Sequence, residues 1–131
     1  MLKSKNIIIA SGPVIIEKDK VLLTRHGTDG YWKFPGGRVE NYPAKLPVDF
    51  LEREAAREVK EEMGVEIKII RPLKPMLVKK NDNTMVVLIH YLARRIGKIK
   101  PGVDIIEWSW FDLKKLPQNC APNIRPVLRE I

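Results

Sequence analysis

Apolar positions along this chain change period several times, and each change marks an element. Asn6 to Ile16 is an almost unbroken apolar run, interrupted by Gly12-Pro13, and reads as a strand. Lys20 to Arg25 repeats the pattern and joins it as a hairpin across Glu17-Lys18-Asp19. His26 to Gly30 is a glycine-punctuated loop, and Arg38 to Pro47, with two prolines and no period, is an enlarged one. The period then lengthens: Leu51, Ala55, Val59 and Met63 recur every four residues, with Ala56 widening the stripe, as in an amphipathic helix. Asp49 and Glu52 make a capping-box pattern at its start, and Gly64 closes it where left-handed backbone costs least.

Beyond the helix the period returns to two. Val65 to Ile70 alternates apolar and charged residues, as a half-buried strand does. Leu73 to Lys79 and Thr84 to Arg94 flank the turn triplet Asn81-Asp82-Asn83 and predict a second hairpin. Met85 to Ile89 is continuously apolar and suits a strand covered on both faces. Gly97 to Asp104 reads as loop, Glu107 to Phe111 as a short strand, Asp112 to Pro117 as a turn of helix and Asn123 to Ile131 as a closing helix. Many strands with one long central helix and one terminal helix predict an α/β sandwich around a mixed sheet.

The polar side of the long helix carries the candidate chemistry. Glu58, Glu61 and Glu62 stand at i, i+3 and i+4, so their carboxylates run along one side of it. Counting 100° per residue from Leu51, the apolar stripe ends near about 140°, Glu62 falls at about 20° and Glu58 at about 340°. These acids border the buried stripe, where like charges repel unless a cation sits among them. Hard divalent ions prefer such oxygen ligands. An acidic, solvated helix face is the alternative reading of the same run.

What surrounds the helix favours the cation. Tyr31-Trp32-Lys33-Phe34-Pro35-Gly36-Gly37 followed by Arg57-Glu58-Val59-Lys60-Glu61-Glu62-Met63-Gly64-Val65 resembles the Nudix hydrolase signature. The segment from Arg57 to Val65 matches that family's R-E-apolar-x-E-E-x-G-apolar half at every position. The first half departs: the family's first glutamate falls on Asp49, and the spacer from Gly37 to Asp49 is about six residues too long. The resemblance implies an α/β/α sandwich and Mg²⁺- or Mn²⁺-dependent hydrolysis of a nucleoside diphosphate linked to another group. It makes Glu58, Glu61, Glu62 and the Gly36 carbonyl metal ligands, with Glu58 also a candidate general base and Arg57 the residue that orients a neighbouring glutamate. Glu107, three residues before Trp110-Phe111, resembles a further metal-binding or water-activating carboxylate, with Asp104 the competing choice. By the same resemblance Arg25, at a strand end, contacts phosphate. Asn123, after Ala121-Pro122, echoes a base-reading asparagine of mutator-type triphosphatases. Trp32 is a candidate for stacking on a base, with a core position as the alternative.

Composition narrows the partners. One domain spans 131 residues, with 44% hydrophobic and 31% charged residues, and no apolar run reaches membrane-span length. The start at Met1 to Lys5 lacks the apolar core and cleavage site of a secretory signal, and the lone Cys120 cannot form an internal disulfide, which together suit the cytoplasm. The net charge of +8 points to anionic partners, but the lysines and arginines are spread in short pairs without a basic tail. A small nucleotide therefore suits the chain better than nucleic acid. The rival classes are a non-catalytic nucleotide-binding module on the same fold and an RNA-directed protein. The first normally lacks box carboxylates, and the second should weaken steeply with salt. Between nucleotides, chain size, Arg25 and Asn123 tilt the reading to a triphosphate, and the resemblance leaves a homodimer open.

Overall fold

The computed structural model describes residues 6–27 and 30–131. Met1 to Lys5 and the middle of the His26–Gly30 loop lie outside the described residues. The elements in chain order are β1 (Asn6–Glu17), β2 (Lys20–His26), β3 (Gly37–Arg38), α1 (Phe50–Met63), β4 (Glu66–Pro72), β5 (Met76–Asn81), β6 (Thr84–Ile96), β7 (Ile105–Asp112) and α2 (Ile124–Leu128). The sheet is mixed, in the order β4-β6-β1-β2-β7, with β3 on β1 and β5 on β6. Among the described strands only β1 and β6 run parallel, in register from Asn6 opposite Thr84 to Ile15 opposite Ala93.

Both faces of the central strands are covered, and the period of two shows how. Val14 and Ile15 are adjacent and fully buried, yet belong to different cores. Val14 joins Val21, Leu23, Trp32, Phe34, Leu73, Ile124 and Val127, under the carboxy-terminal segment with α2. Ile15 joins Leu22, Val59, Met63, Val65 and Ile105, under α1. The four-residue stripe of α1 is thus the face laid on the sheet, with Ala55, Val59 and Met63 at 0% exposure.

Several local expectations are corrected. Gly12-Pro13 does not interrupt β1, because Pro13 falls where one edge of the strand has left β3 and not yet reached β2. Asp49 makes no cap bond to α1: at φ −96°, ψ 24° its side chain instead accepts from Arg53 Nε at 3.0 Å. Met85 to Ile89 are half-buried rather than covered on both faces. Helix α1 starts level with Ser11, whose Oγ donates to the Leu51 carbonyl at 2.9 Å, so the earlier part of β1 and its β6 partners lie past the helix end. The segment after Asp112 is a turn, with Asp112 Oδ1 accepting from the Lys114 amide, and the closing helix is only Ile124–Leu128. Among the described residues no helix is long and apolar enough to cross a membrane.

Met63 is the last residue of α1 and has no exposed surface. Met63→Ala should cost about 2–5 kcal/mol by removing its packing on Ile15 and Leu22. Chemical denaturation with an unchanged m-value checks this.

Candidate active site

Two glycines decide where the site forms. Gly36 adopts φ +131°, and a Cβ on it would stand 2.6 Å from Gly12 Cα and from the Ser11 carbonyl oxygen. A Cβ on Gly12 would stand 2.2 Å from the Pro35 carbonyl oxygen. Only bare backbone fits this crossing, so the Pro35–Gly37 strip lies directly on β1. Upstream, Thr24 and Lys33 exchange backbone hydrogen bonds, and Trp32 pairs with Asn119 and Ala121. Downstream, β3 pairs with Ala10 and Ser11. The strip is therefore held at both ends.

Helix α1 brings its acids to this strip. The Gly36 amide donates to Glu62 Oε1 at 3.0 Å, and a Cβ on Gly37 would meet Glu58 Oε2 at 2.9 Å. Glu58 and Glu62 side chains are 18% and 10% exposed, whereas Glu61 is 62% exposed. Burial raises the Glu58 carboxyl above its ordinary range, Arg57 opposes this, and repulsion from Glu62 and Glu61 adds to it. Glu62 Oε2 is buried without a hydrogen bond, although His26 Nε2 stands 3.0 Å away.

Arg57 organises the acids from the side. Its Nε donates to Glu54 Oε2 at 2.6 Å, Nη2 to Glu58 Oε1 at 2.9 Å and Nη1 to Glu61 Oε1 at 2.8 Å. Glu54 is buried and was missed from sequence, although its i,i+3 spacing to Arg57 is the signal that finds it. Among the described residues no three acid, histidine or cysteine side chains close into a compact metal cage.

The loop after β6 completes the pocket. Lys100 and Gly102 amides donate to the Met63 and Glu62 carbonyls at 2.6 and 2.7 Å, satisfying the open end of α1. This carries Asp104 into a cavity of about 290 Å³ with Glu58, Glu61, Glu62, His26, Gly36 and Gly37. Glu107 does not line that cavity. It stands opposite Arg25 across β2 and β7, and Arg25 Nη2 donates to Glu107 Oε1. The Arg25 guanidinium also lies 5.4 Å from the centre of the Trp32 ring. Trp32 itself is a core residue, 8% exposed and edge-on to Phe111, so it offers no open face for a base.

A second cavity, about 360 Å³, adjoins the first and shares His26, Gly36 and Gly37 with it. Ser11, Phe34, Leu88, His90 and Asn123 are among its lining residues. Asn123 Nδ2 lies 3.2 Å from His90 Nε2. One cavity is thus acidic, and the other mixes apolar groups with Ser11, His90, Asn123 and the cationic Lys33 and Arg38, on either side of the glycine strip.

Residues 8–131 match the family model described as NUDIX domain. The chain belongs to the NUDIX family. A putative 8-oxo-dGTP diphosphatase, YtkD of Bacillus subtilis, is 35% identical over 105 residues, covering 79% of this chain. The chain spans 61% of that relative's length. The MutT NUDIX hydrolase from Burkholderia pseudomallei superposes with a TM-score of 0.81 at 25% identity, covering 97% of this chain and 99% of that one. The MutT protein from Methanosarcina mazei Go1 gives 0.79 at 25% identity, covering 98% and 94%. The family's fold is the one seen here, α/β with a mixed sheet, one central helix and a short carboxy-terminal one.

In this Nudix chain His90 is 5% exposed, and burial holds its pKa down to about 4. The unfolded chain therefore binds the extra proton between the ordinary histidine range, about 6.5, and about 4. Stability from the neutral ring is full above that window and is lost as pH falls through it, by up to roughly 3 kcal/mol. His90→Phe should flatten this part of the stability–pH curve, measured by denaturant melts from pH 7 to 4.

Proposed function

We propose that this Nudix hydrolase is a divalent-cation-dependent pyrophosphohydrolase acting on a nucleoside triphosphate, giving a monophosphate and pyrophosphate. The observation that carries the reading is the pair of adjoining cavities. A ring seated beside Phe34, His90 and Asn123 would send its anionic tail across Gly36-Gly37 towards the glutamates. The diphosphatase name of the Bacillus subtilis relative supports the same substrate class.

The donor set suits Mg²⁺ or Mn²⁺. It consists of hard carboxylate oxygens, one of which, Glu62 Oε2, is buried without a hydrogen bond, beside backbone with no side chain to obstruct it. Glu58, Glu62 and the Gly36 carbonyl would hold the ion, with Glu61 and Asp104 at the mouth. Bound there, it would neutralise phosphate oxygens and acidify a water.

The chain's own groups do the rest. Glu58 Oε2 takes the proton from the attacking water. Arg57 holds Glu58 Oε1 and leaves Oε2 on the Gly37 side. Arg25 would contact phosphate, and Glu107, which accepts from it, serves to hold it rather than to bind metal. Asn123 reads the base.

Phosphate release after pyrophosphatase treatment, across a nucleotide panel with Mg²⁺, Mn²⁺ or EDTA, tests this. Turnover of a triphosphate should vanish with EDTA, and Glu58→Gln and Glu62→Gln should each lower kcat about 10²–10⁴-fold without loss of fold. Cation-independent turnover, or wild-type rates in Glu58→Gln, would overturn the proposal.

A further inference from the structure

The cavity beside Phe34, His90 and Asn123 carries two positive charges that a base and a sugar do not require. Lys33 and Arg38, one on each side of residues 34–37, both line it, and no aspartate or glutamate does. Neither cation lines the acidic cavity. Arg38 is exposed, and among the described residues its guanidinium takes part in no hydrogen bond or ion pair.

Strand register says where the Arg38 charge sits. In β1 the period of two puts Ala10, Gly12 and Val14 on the face under α2, and Ser11 and Ile15 on the face under α1. Arg38 pairs with Ala10, which pairs with Leu88 on β6, so the three form one row on the α2 face. Gly12 and His90 form the next row on that face, two residues and roughly 6.6 Å along the strands. Glu58 and Glu62 reach the glycine strip from α1, on the opposite face. One row separates Arg38 from the ring site at His90, and the thickness of the sheet separates it from the glutamates. A single phosphate cannot serve both.

A nucleoside with its ring beside Phe34 and His90 has two exits from its sugar. The 5′ chain crosses Gly36-Gly37 to the glutamates, and the 3′ side is left over the Arg38 row. We propose that Arg38 is a subsite for a second phosphoryl group, carried on the sugar of a nucleoside 5′-polyphosphate. The guanidinium fork gives that group charge-assisted hydrogen bonds. Lys33 adds to the positive potential of the same cavity, and no carboxylate in the lining opposes it. A 3′-phosphate on a mononucleotide and the 3′-phosphodiester at the 5′ end of an RNA present the same chemistry. The subsite rests on the nucleotide reading above for the seat of the ring, but not on hydrolysis.

The test is calorimetric binding, by the full chain with Mg²⁺, of nucleotides that have no anhydride bond to break. For each common base, the nucleoside 3′,5′-bisphosphate is compared with the 5′-monophosphate. The wild type should bind the bisphosphate on the order of tenfold more tightly, the scale of one charge-assisted contact. Arg38→Gln should abolish that advantage while holding the 5′-monophosphate within about twofold, and Arg38→Lys should retain most of it. The advantage should shrink as salt rises. Equal affinity for the two ligands in the wild type would overturn the subsite, as would an advantage that survives Arg38→Gln. A variant that weakens both ligands alike would assign the charge to the 5′ chain and overturn it too. A 5′-phosphorylated dinucleotide separates the sources: affinity matching the bisphosphate supports an RNA end, and affinity matching the monophosphate supports a free mononucleotide. If the advantage is found but no triphosphate is turned over, the hydrolytic reading fails while the subsite stands.

Discussion

The site depends on one close approach: the backbone of Pro35-Gly36-Gly37 lying on that of Ser11-Gly12 with no side chain between them. Any Cβ at Gly12 or Gly36 would overlap backbone, which cannot swing aside as a flexible side chain does. Because the strip lies flat on β1, its Gly36 amide faces Glu62 and its Gly37 faces Glu58. The same strip divides the acidic cavity from its neighbour and belongs to both. A fold with the same helix but a bulkier residue at Gly36 would keep its acids and lose the wall opposite them.

Electrostatics sets the second constraint. Helix α1 places Glu54, Glu58, Glu61 and Glu62 within three turns, and two features keep that tolerable without a cation. Arg57 shares its donors among three of them, and the Gly36 amide supplies a fixed partial positive charge to the fourth. What remains is Glu62 Oε2, with only the His26 ring beside it, and the burial of Glu58. Acids half-compensated in this way attract a further positive charge, and that ties the packing of α1 to the proposed chemistry.

Much of this was legible in the chain before any coordinates. The four-residue stripe, Gly64 as helix stop and the sector holding Glu58 and Glu62 follow from the helical period, and each has its place in the fold. Less legible was what depends on pairing between distant segments. Glu107 was the preferred acid and Asp104 the competing one, but strand register sets Glu107 opposite Arg25, while two backbone bonds to the end of α1 bring Asp104 to the acids. Trp32 belongs to the core because Asn119 and Ala121, far along the chain, pin its backbone. The histidine facing Asn123 carries no local signal, being one polar residue in an apolar strand. The enlarged loop before α1 was readable as irregular, yet Asp49, read as the helix cap, bonds Arg53 with its side chain instead.

The central claim is that the glutamates facing the glycine strip hold a divalent cation. Mn²⁺ binding followed by electron paramagnetic resonance, in the wild type and in Glu58→Gln/Glu62→Gln, addresses it most directly. The account expects the wild type to remove free Mn²⁺ from solution and the folded double variant to leave it there. A wild type that binds no Mn²⁺, or a double variant that binds it equally well, would contradict the account.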